Sequence, residues 1–275
     1  MAIFLGPAGV PFSAKERSTI GGIARCAELG LNAMEVEFVR GVKMGASLAE
    51  EAGAAAKEKG VRLSVHAPYY INLLSAKAVL VKKSIERIVD SLDRGERMGA
   101  DAVAVHAAYL GELTSEKATE LMKERTGQIL AVLDKKGISN VRLGYETMAK
   151  KGQWGSLEEI IEVHREHRRR VAPYLDWGHL YARGGGSIDY EALLKTMKEL
   201  KLDHINSHFT CVKASKAGGY VDIHTPIGDK HPDFAPLAKL LARSSVDITL
   251  ICESPLLEQD ALKMKEQLEK AGYNW

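Results

Sequence analysis

The sequence predicts one (β/α)8 barrel, a TIM barrel spanning residues 1–275 as a single domain, and three observations carry that prediction. The length of 275 residues is close to the usual size of such a barrel. Short apolar runs alternate with helical stretches, the pattern of βα units around a parallel sheet. Six of the runs also deliver a histidine or carboxylate at or near their C-terminal end: RLSVH (His66), AVAVH (His106), VRLGYE (Glu146), VAPYLD (Asp176), HINSHF (His208) and ITLICE (Glu253). In a closed barrel those ends converge on one face, where enzymes of this architecture build their sites.

Side-chain parity agrees with a barrel. Successive strand residues point to opposite faces. Ser64 shares a face with His66, Ala104 with His106, Gly144 with Glu146, Asn206 with His208 and Ile251 with Glu253. The other face carries Leu63 and Val65, Val103 and Val105, Leu143 and Tyr145, and Leu250 and Cys252. The bulky set suits packing against helices, and the mostly small or polar set suits a barrel interior.

In chain order, residues 3–5 form the first strand, and Gly6, Pro7, Gly9 and Pro11 then make a turn-rich loop. Residues 17–29 are helical and stop at Gly30; 33–38 are the second strand, and a helix from about residue 48 ends at Gly60. The third strand is 61–66, followed by Pro68, which continues neither regular element. Residues 76–98 carry an apolar stripe at helical spacing and stop at Gly99. The fourth strand, 101–106, precedes a helix capped by Thr114 and stopped at Gly137. After the fifth strand, 141–146, Ser156 with Glu159 forms a capping box for a helix through the His164 region. The charge run HREHRRR reads as a solvated helix end. The sixth strand is 171–176, a helix starts near Asp189, the seventh strand is 204–209, the eighth 247–253, and a last helix ends near Gly272. Residues 210–233 read as one long loop, a length that is often functional in a compact domain.

Composition narrows the setting. Hydrophobic residues make up 45% of the chain, ordinary for a folded domain. No stretch has the length of a membrane span, and MAIFLG lacks the basic and apolar regions of a signal peptide. Three widely spaced cysteines, Cys26, Cys211 and Cys252, argue against a disulfide framework and fit a reducing cytoplasm. A net charge of +2 permits nucleic-acid binding through a local patch without arguing for it.

His66, His106, Glu146, Asp176, His179, His208, Asp222, His224 and Glu253 are the candidate metal ligands. So many nitrogen and oxygen donors exceed one zinc site, which takes about four ligands, and suggest two or three ions per chain. With no cysteine among them, the set suits Zn²⁺ or Mn²⁺ in hydrolysis. Any one of these residues has a plainer reading, as a structural histidine or a polar loop residue. DWGH sets Asp176 and His179 three apart, and VDIH sets Asp222 and His224 on one face of an extended segment. His204 and His208 share parity, and His208 is favoured as the deeper into the C-terminal end. His164 and His167 read as surface residues, and His231 is held in reserve.

These motifs resemble the endonuclease IV family of apurinic/apyrimidinic endonucleases, barrel enzymes with a trinuclear zinc centre, within a wider group of xylose-isomerase-like proteins. HAPYYINL is similar to the family's first histidine motif, LGYETMAKKG to its bridging-glutamate motif, LDWGH to its aspartate–histidine pair, VDIHTPIG to its late pair and ICESP to its final glutamate motif. The resemblance implies that His66 and His106 hold one zinc and that Glu146 bridges it to a second. Asp176, His208 and Glu253 would complete the second, and His179, Asp222 and His224 would hold the third. It further implies a monomer acting on double-stranded DNA, cleaving 5′ to abasic sites with a metal-activated water organised by Glu146. Tyr69, Tyr70 and Asn72 are then expected to contact DNA or hold a flipped-out sugar, against a plainer role in packing the loop over the mouth. The chain departs from the family where Ala107 and Ala108 replace a proline and glycine. It departs again where VEFVRGVKMG replaces an asparagine–arginine–tryptophan segment, leaving Arg40 to serve in part for that contact. Two rival readings stand beside it: a metal-dependent sugar isomerase or epimerase, and a non-enzymatic nucleic-acid-binding or scaffold barrel.

Overall fold

The structure is a computed structural model and describes residues 2–216 and 218–275. Eight parallel strands form one sheet in sequence order: β1 (Ile3–Pro7), β2 (Ala33–Glu37), β3 (Arg62–His66), β4 (Ala102–Val105), β5 (Arg142–Glu146), β6 (Val171–Asp176), β7 (Ile205–Phe209) and β8 (Ile248–Cys252). β1 pairs with β8, and the barrel closes where β1 meets β2. There the Asn32 N–H donates to the Leu5 carbonyl (3.1 Å) and the Gly9 N–H to the Glu35 carbonyl (3.0 Å). Gly6 makes this seam possible, because a Cβ at that position would lie 1.7 Å from the Ala33 carbonyl oxygen.

The helices are α1 (Thr19–Glu28), α2 (Ala46–Lys59), α3 (Ala78–Met98), α4 (Ser115–Lys135), α5 (Leu157–His167), α6 (Trp177–Arg183), α7 (Tyr190–Glu199), α8 (Phe234–Leu241) and α9 (Glu258–Lys270). Local chemistry sets their ends. Ser18, Thr114 and Asp189 accept from backbone N–H groups at N-termini, and the Ser156–Glu159 capping box starts α5. Gly60 and Gly99 close α2 and α3 in the left-handed region. The main core lies between strands and helices and takes in Leu63, Val65, Val103, Val105, Leu143 and Tyr145. Inside the barrel a second, small cluster joins Ala102, Ala104 and Tyr174.

Three expectations are corrected. Residues 210–233 are not one loop: Cys211–Ala214 pairs antiparallel with Tyr220–Thr225, and a short 3-10 turn follows at Ile227–Asp229. DWGH is more than a turn, because Asp176 caps α6. His164 is buried rather than on the surface, with its Nδ1 2.7 Å from the Val171 carbonyl. A second small ladder, Ala108–Tyr109 against Gln153–Trp154, ties two mouth loops together. No helix among the described residues is long and apolar enough to cross a membrane.

Candidate metal centre

The barrel brings all nine ligand-type residues together at the C-terminal mouth, in three sets. His66, His106 and Glu146 form one; Glu146, Asp176, His208 and Glu253 form a second; His179, Asp222 and His224 form a third. Within each set one donor atom per residue lies within 4.8 Å of every other. Glu146 belongs to two sets. Its Oε2 faces His106 Nε2 (3.0 Å) and His66 Nε2 (3.5 Å), while its Oε1 faces His208 Nδ1 (3.3 Å).

Local structure aims each donor. Asp176 ends β6 and uses Oδ1 to accept from the His179 N–H (2.6 Å), capping α6 and leaving Oδ2 toward the centre. In the same helix His179 turns Nδ1 to the Thr147 carbonyl (2.8 Å), so that Nε2 meets Asp222 Oδ1 at 3.2 Å. His66 Nδ1 is held by the Ala67 carbonyl (2.7 Å) and His224 Nδ1 by the Glu253 carbonyl (3.0 Å), again leaving Nε2 inward. His208 is reversed: its Nε2 is bound at 2.7 Å to Glu35, and Nδ1 faces the ligands. Fixing one imidazole nitrogen to orient the other is how proteins prepare a metal-binding histidine.

A cation fits this donor set. Both Glu146 carboxylate oxygens, Asp176 Oδ2, His66 Nε2, His179 Nε2 and His208 Nδ1 are buried without a hydrogen-bond partner among the described residues. Buried polar atoms are ordinarily paired, and leaving so many orphaned would be costly. The closest histidine-to-carboxylate separations, 3.0 to 3.9 Å, are near the edge of a tetrahedron, about 3.4 Å for bonds near 2.1 Å. Burial disfavours the charged form of His66, but the neighbouring carboxylates of Glu146 and Glu37 outweigh it and push the imidazole up to about 10. Burial likewise opposes charge on His224, and Asp222 reverses the balance, taking it up to about 9. Burial raises Glu253 to about 7. Without cations these side chains gather protons, the other way to neutralise a buried anionic cluster.

His204 lies at the opposite end of β7. It contacts Thr249 Oγ1 (2.8 Å), and burial, with the fields of Arg62 and Arg142, lowers it to about 4. Tyr69 is 48% exposed, and its ring lies over those of His66 and His106 at 5.2 and 5.8 Å between centroids. Tyr70 is more exposed and points outward, while Asn72 is turned into its own loop, where Oδ1 accepts from the Leu74 N–H (3.2 Å). Arg40 is exposed on the β2–α2 loop, outside the three sets. Beside His106 and Asp222 a cavity of about 190 Å³ is lined by Tyr69, Tyr109, Lys150 and Gln153.

Two carboxylates on β2 escaped the reading of the sequence. Glu35 pairs in register with Ser64, and Glu37 with His66. Glu35 is fully buried, whereas Glu37 keeps a buried Oε1 without a hydrogen-bond partner among the described residues. Burial raises Glu37 to about 8 against the opposing field of His66.

Comparison with known proteins agrees with the fold. The sequence model of the xylose isomerase-like TIM barrel family matches residues 23–271. An uncharacterized protein of Methanocaldococcus jannaschii is 32% identical over 95% of both chains. A probable endonuclease 4 of Streptomyces avermitilis is 29% identical over 90% of this chain and 84% of its own. Among solved structures, endonuclease IV from Thermus thermophilus superposes with a TM-score of 0.70 at 20% identity, covering 96% of this chain and 98% of that one. A D-tagatose 3-epimerase-like protein superposes with a TM-score of 0.72 at 20% identity, covering 96% of both. Those two likenesses concern the fold.

Proposed function

Because the chain belongs to the xylose isomerase-like TIM barrel family, and its relatives include probable endonuclease 4 proteins, we propose that it is a metal-dependent phosphodiesterase cleaving DNA on the 5′ side of abasic sites. The observation that carries this reading is the third set, His179, Asp222 and His224, beside the two sets joined by Glu146. An isomerase has no evident use for a third cation. Zn²⁺, or Mn²⁺, held by the three sets would supply charge for the phosphoryl oxygens, an acidified water and stabilisation of the leaving oxygen.

The chain's own residues supply the rest. Glu146 has one oxygen toward each of two sets and fixes their relative position. Tyr69, over His66 and His106, can stack on a sugar or base at the mouth, and the neighbouring cavity has room for a small polar group. Exposed Arg40, Lys43, Lys150, Lys151, Lys213 and Lys216 stand on segments that follow the barrel strands at the mouth, where flanking phosphates of a duplex would lie. The test is strand cleavage of a duplex carrying one abasic analogue that resists β-elimination, beside the same duplex intact.

One observation favours a second reading, a metal-dependent sugar isomerase or epimerase. Glu37 is a carboxylate near the ligands, raised to about 8 first by burial. Such a group can exchange a proton near neutral pH, which epimerisation requires and phosphodiester hydrolysis by activated water does not.

A further inference from the structure

Glu35 lies below the ligands, on the interior face of β2, and none of its surface reaches solvent. Its carboxylate is fully engaged. Oε1 is 2.7 Å from His208 Nε2, while Oε2 accepts from Ser64 Oγ (2.7 Å) and Tyr174 Oη (2.9 Å). The barrel is shaped around this group. Gly144 leaves room for the Tyr174 ring, since a Cβ there would come within 2.8 Å of it. That ring in turn packs on His208, with 4.5 Å between centroids, and His66 lies nearly parallel on the imidazole at 5.7 Å. The His208 ring is therefore held by one carboxylate on its edge, with the Tyr174 and His66 rings packed beside it.

From this geometry we infer that Glu35 is a positioning residue for the second ligand set, acting through His208. Its carboxylate takes the Nε2–H of His208 and fixes the tautomer that leaves the Nδ1 lone pair toward Glu146, Asp176 and Glu253. The other ring-fixed ligands of the cluster, His66, His179 and His224, lean on backbone carbonyls. His208 differs from these three in that the nitrogen turned away from the ligand set is hydrogen-bonded to a carboxylate outside that set. A full negative charge behind the imidazole makes it a stronger donor than a carbonyl does and adds a further anion beneath one cation. Ser64 and Tyr174 keep Glu35 from swinging upward to become a ligand itself. The inference rests on the metal-centre reading above but not on the choice of substrate.

The test is Zn²⁺ affinity, measured equivalent by equivalent in competition with a chromophoric chelator, on folded full-length protein. His208→Ala identifies the equivalent that depends on this histidine. In Glu35→Ala that same equivalent is expected to bind about 10–100-fold more weakly, with the others unchanged. Glu35→Gln keeps an acceptor for Nε2–H and is expected to fall at the lower end of that range. In the His208→Ala background, Glu35→Ala should change the remaining equivalents by less than about twofold, because the coupling runs through the imidazole. Unchanged affinity in folded Glu35→Gln and Glu35→Ala overturns the inference. So does an equal loss at every equivalent, or a loss that persists without His208, since either marks a general structural role. If Glu35→Ala does not fold, Glu35→Gln and its His208→Ala double variant decide. Protein that binds zinc in this pattern but leaves abasic DNA intact refutes the proposed substrate and not this inference; protein that binds no zinc refutes both.

Discussion

Glu146 Oε1 lies 3.3 Å from His208 Nδ1, and neither buried atom has a hydrogen-bond partner among the described residues. Two lone-pair atoms placed so close, with no hydrogen bond between them, mark a shared cation site. Protein purified without chelator, or reconstituted afterwards, is therefore expected to carry roughly two to three equivalents of zinc or manganese per chain. Elemental analysis checks this, and a reproducible value below about one under both conditions contradicts the three-set centre.

The two histidines of β7 should behave differently on substitution. His208 stands among the ligands, whereas His204 bonds Thr249 at the far end of the strand. His208→Ala is expected to lose one metal equivalent and most activity. His204→Ala should keep its metals and lose about 1 kcal/mol of stability with its hydrogen bond. Metal analysis and denaturant unfolding of both variants decide. Loss of metal from folded His204→Ala alone would reverse the assignment.

Much of this site was legible in the sequence because a strand signal and a ligand-type residue coincide at each barrel strand end. His66, His106, Glu146, Asp176 and Glu253 all follow apolar runs. Glu35 and Glu37 were harder to see. AMEVEF alternates acidic and apolar residues, which reads as a strand with one face in water, yet in a closed barrel that face becomes the interior. Their spacing, two apart on one face of a strand in a barrel, was the available signal. His164 was hidden by its charged neighbours, although Ile160, Ile161 and Val163 place it on a helix with a buried face. The Cys211–Ala214 and Tyr220–Thr225 pair was signalled by the Gly218–Gly219 step between two extended segments. Helix α6 spans only seven residues, too short for periodicity to show.

Glu37 separates the two functional readings. For a phosphodiesterase working through activated water, Glu37→Gln is expected to change the rate by less than about tenfold, because no proton transfer from that carboxyl is required. For an epimerase the same change removes a proton-transfer group and is expected to cost about 10²-fold or more. Rates of the variant on abasic DNA and on ketohexoses make the comparison.

Metal-free protein should lose stability as pH rises. His66 and His224 are raised, against the cost of burial, to about 10 and about 9 by their carboxylate partners, so each contributes stability below its unfolded value of 6.5 that disappears as pH climbs through the folded one. Glu253, raised to about 7 by burial, acts in the same direction between 4.5 and 7, where the folded state holds the proton and the unfolded chain does not. Cations replace those protons, so the metal-loaded protein should gain stability relative to the metal-free form over this range. Thermal unfolding with and without chelator from pH 6 to about 10 shows it; parallel curves would argue against ligation by these residues.

Cleavage of abasic DNA decides between the phosphodiesterase and the isomerase. Metal-loaded wild-type protein is expected to nick a duplex bearing one β-elimination-resistant abasic analogue on its 5′ side, leaving a 3′-hydroxyl, and to leave the intact duplex uncut. Glu146→Gln keeps the shape but removes the charge shared by two ligand sets, and should slow the reaction by at least about 10²-fold. Folded, metal-loaded protein that leaves the abasic duplex whole but interconverts a ketose contradicts the phosphodiesterase reading and establishes the isomerase one.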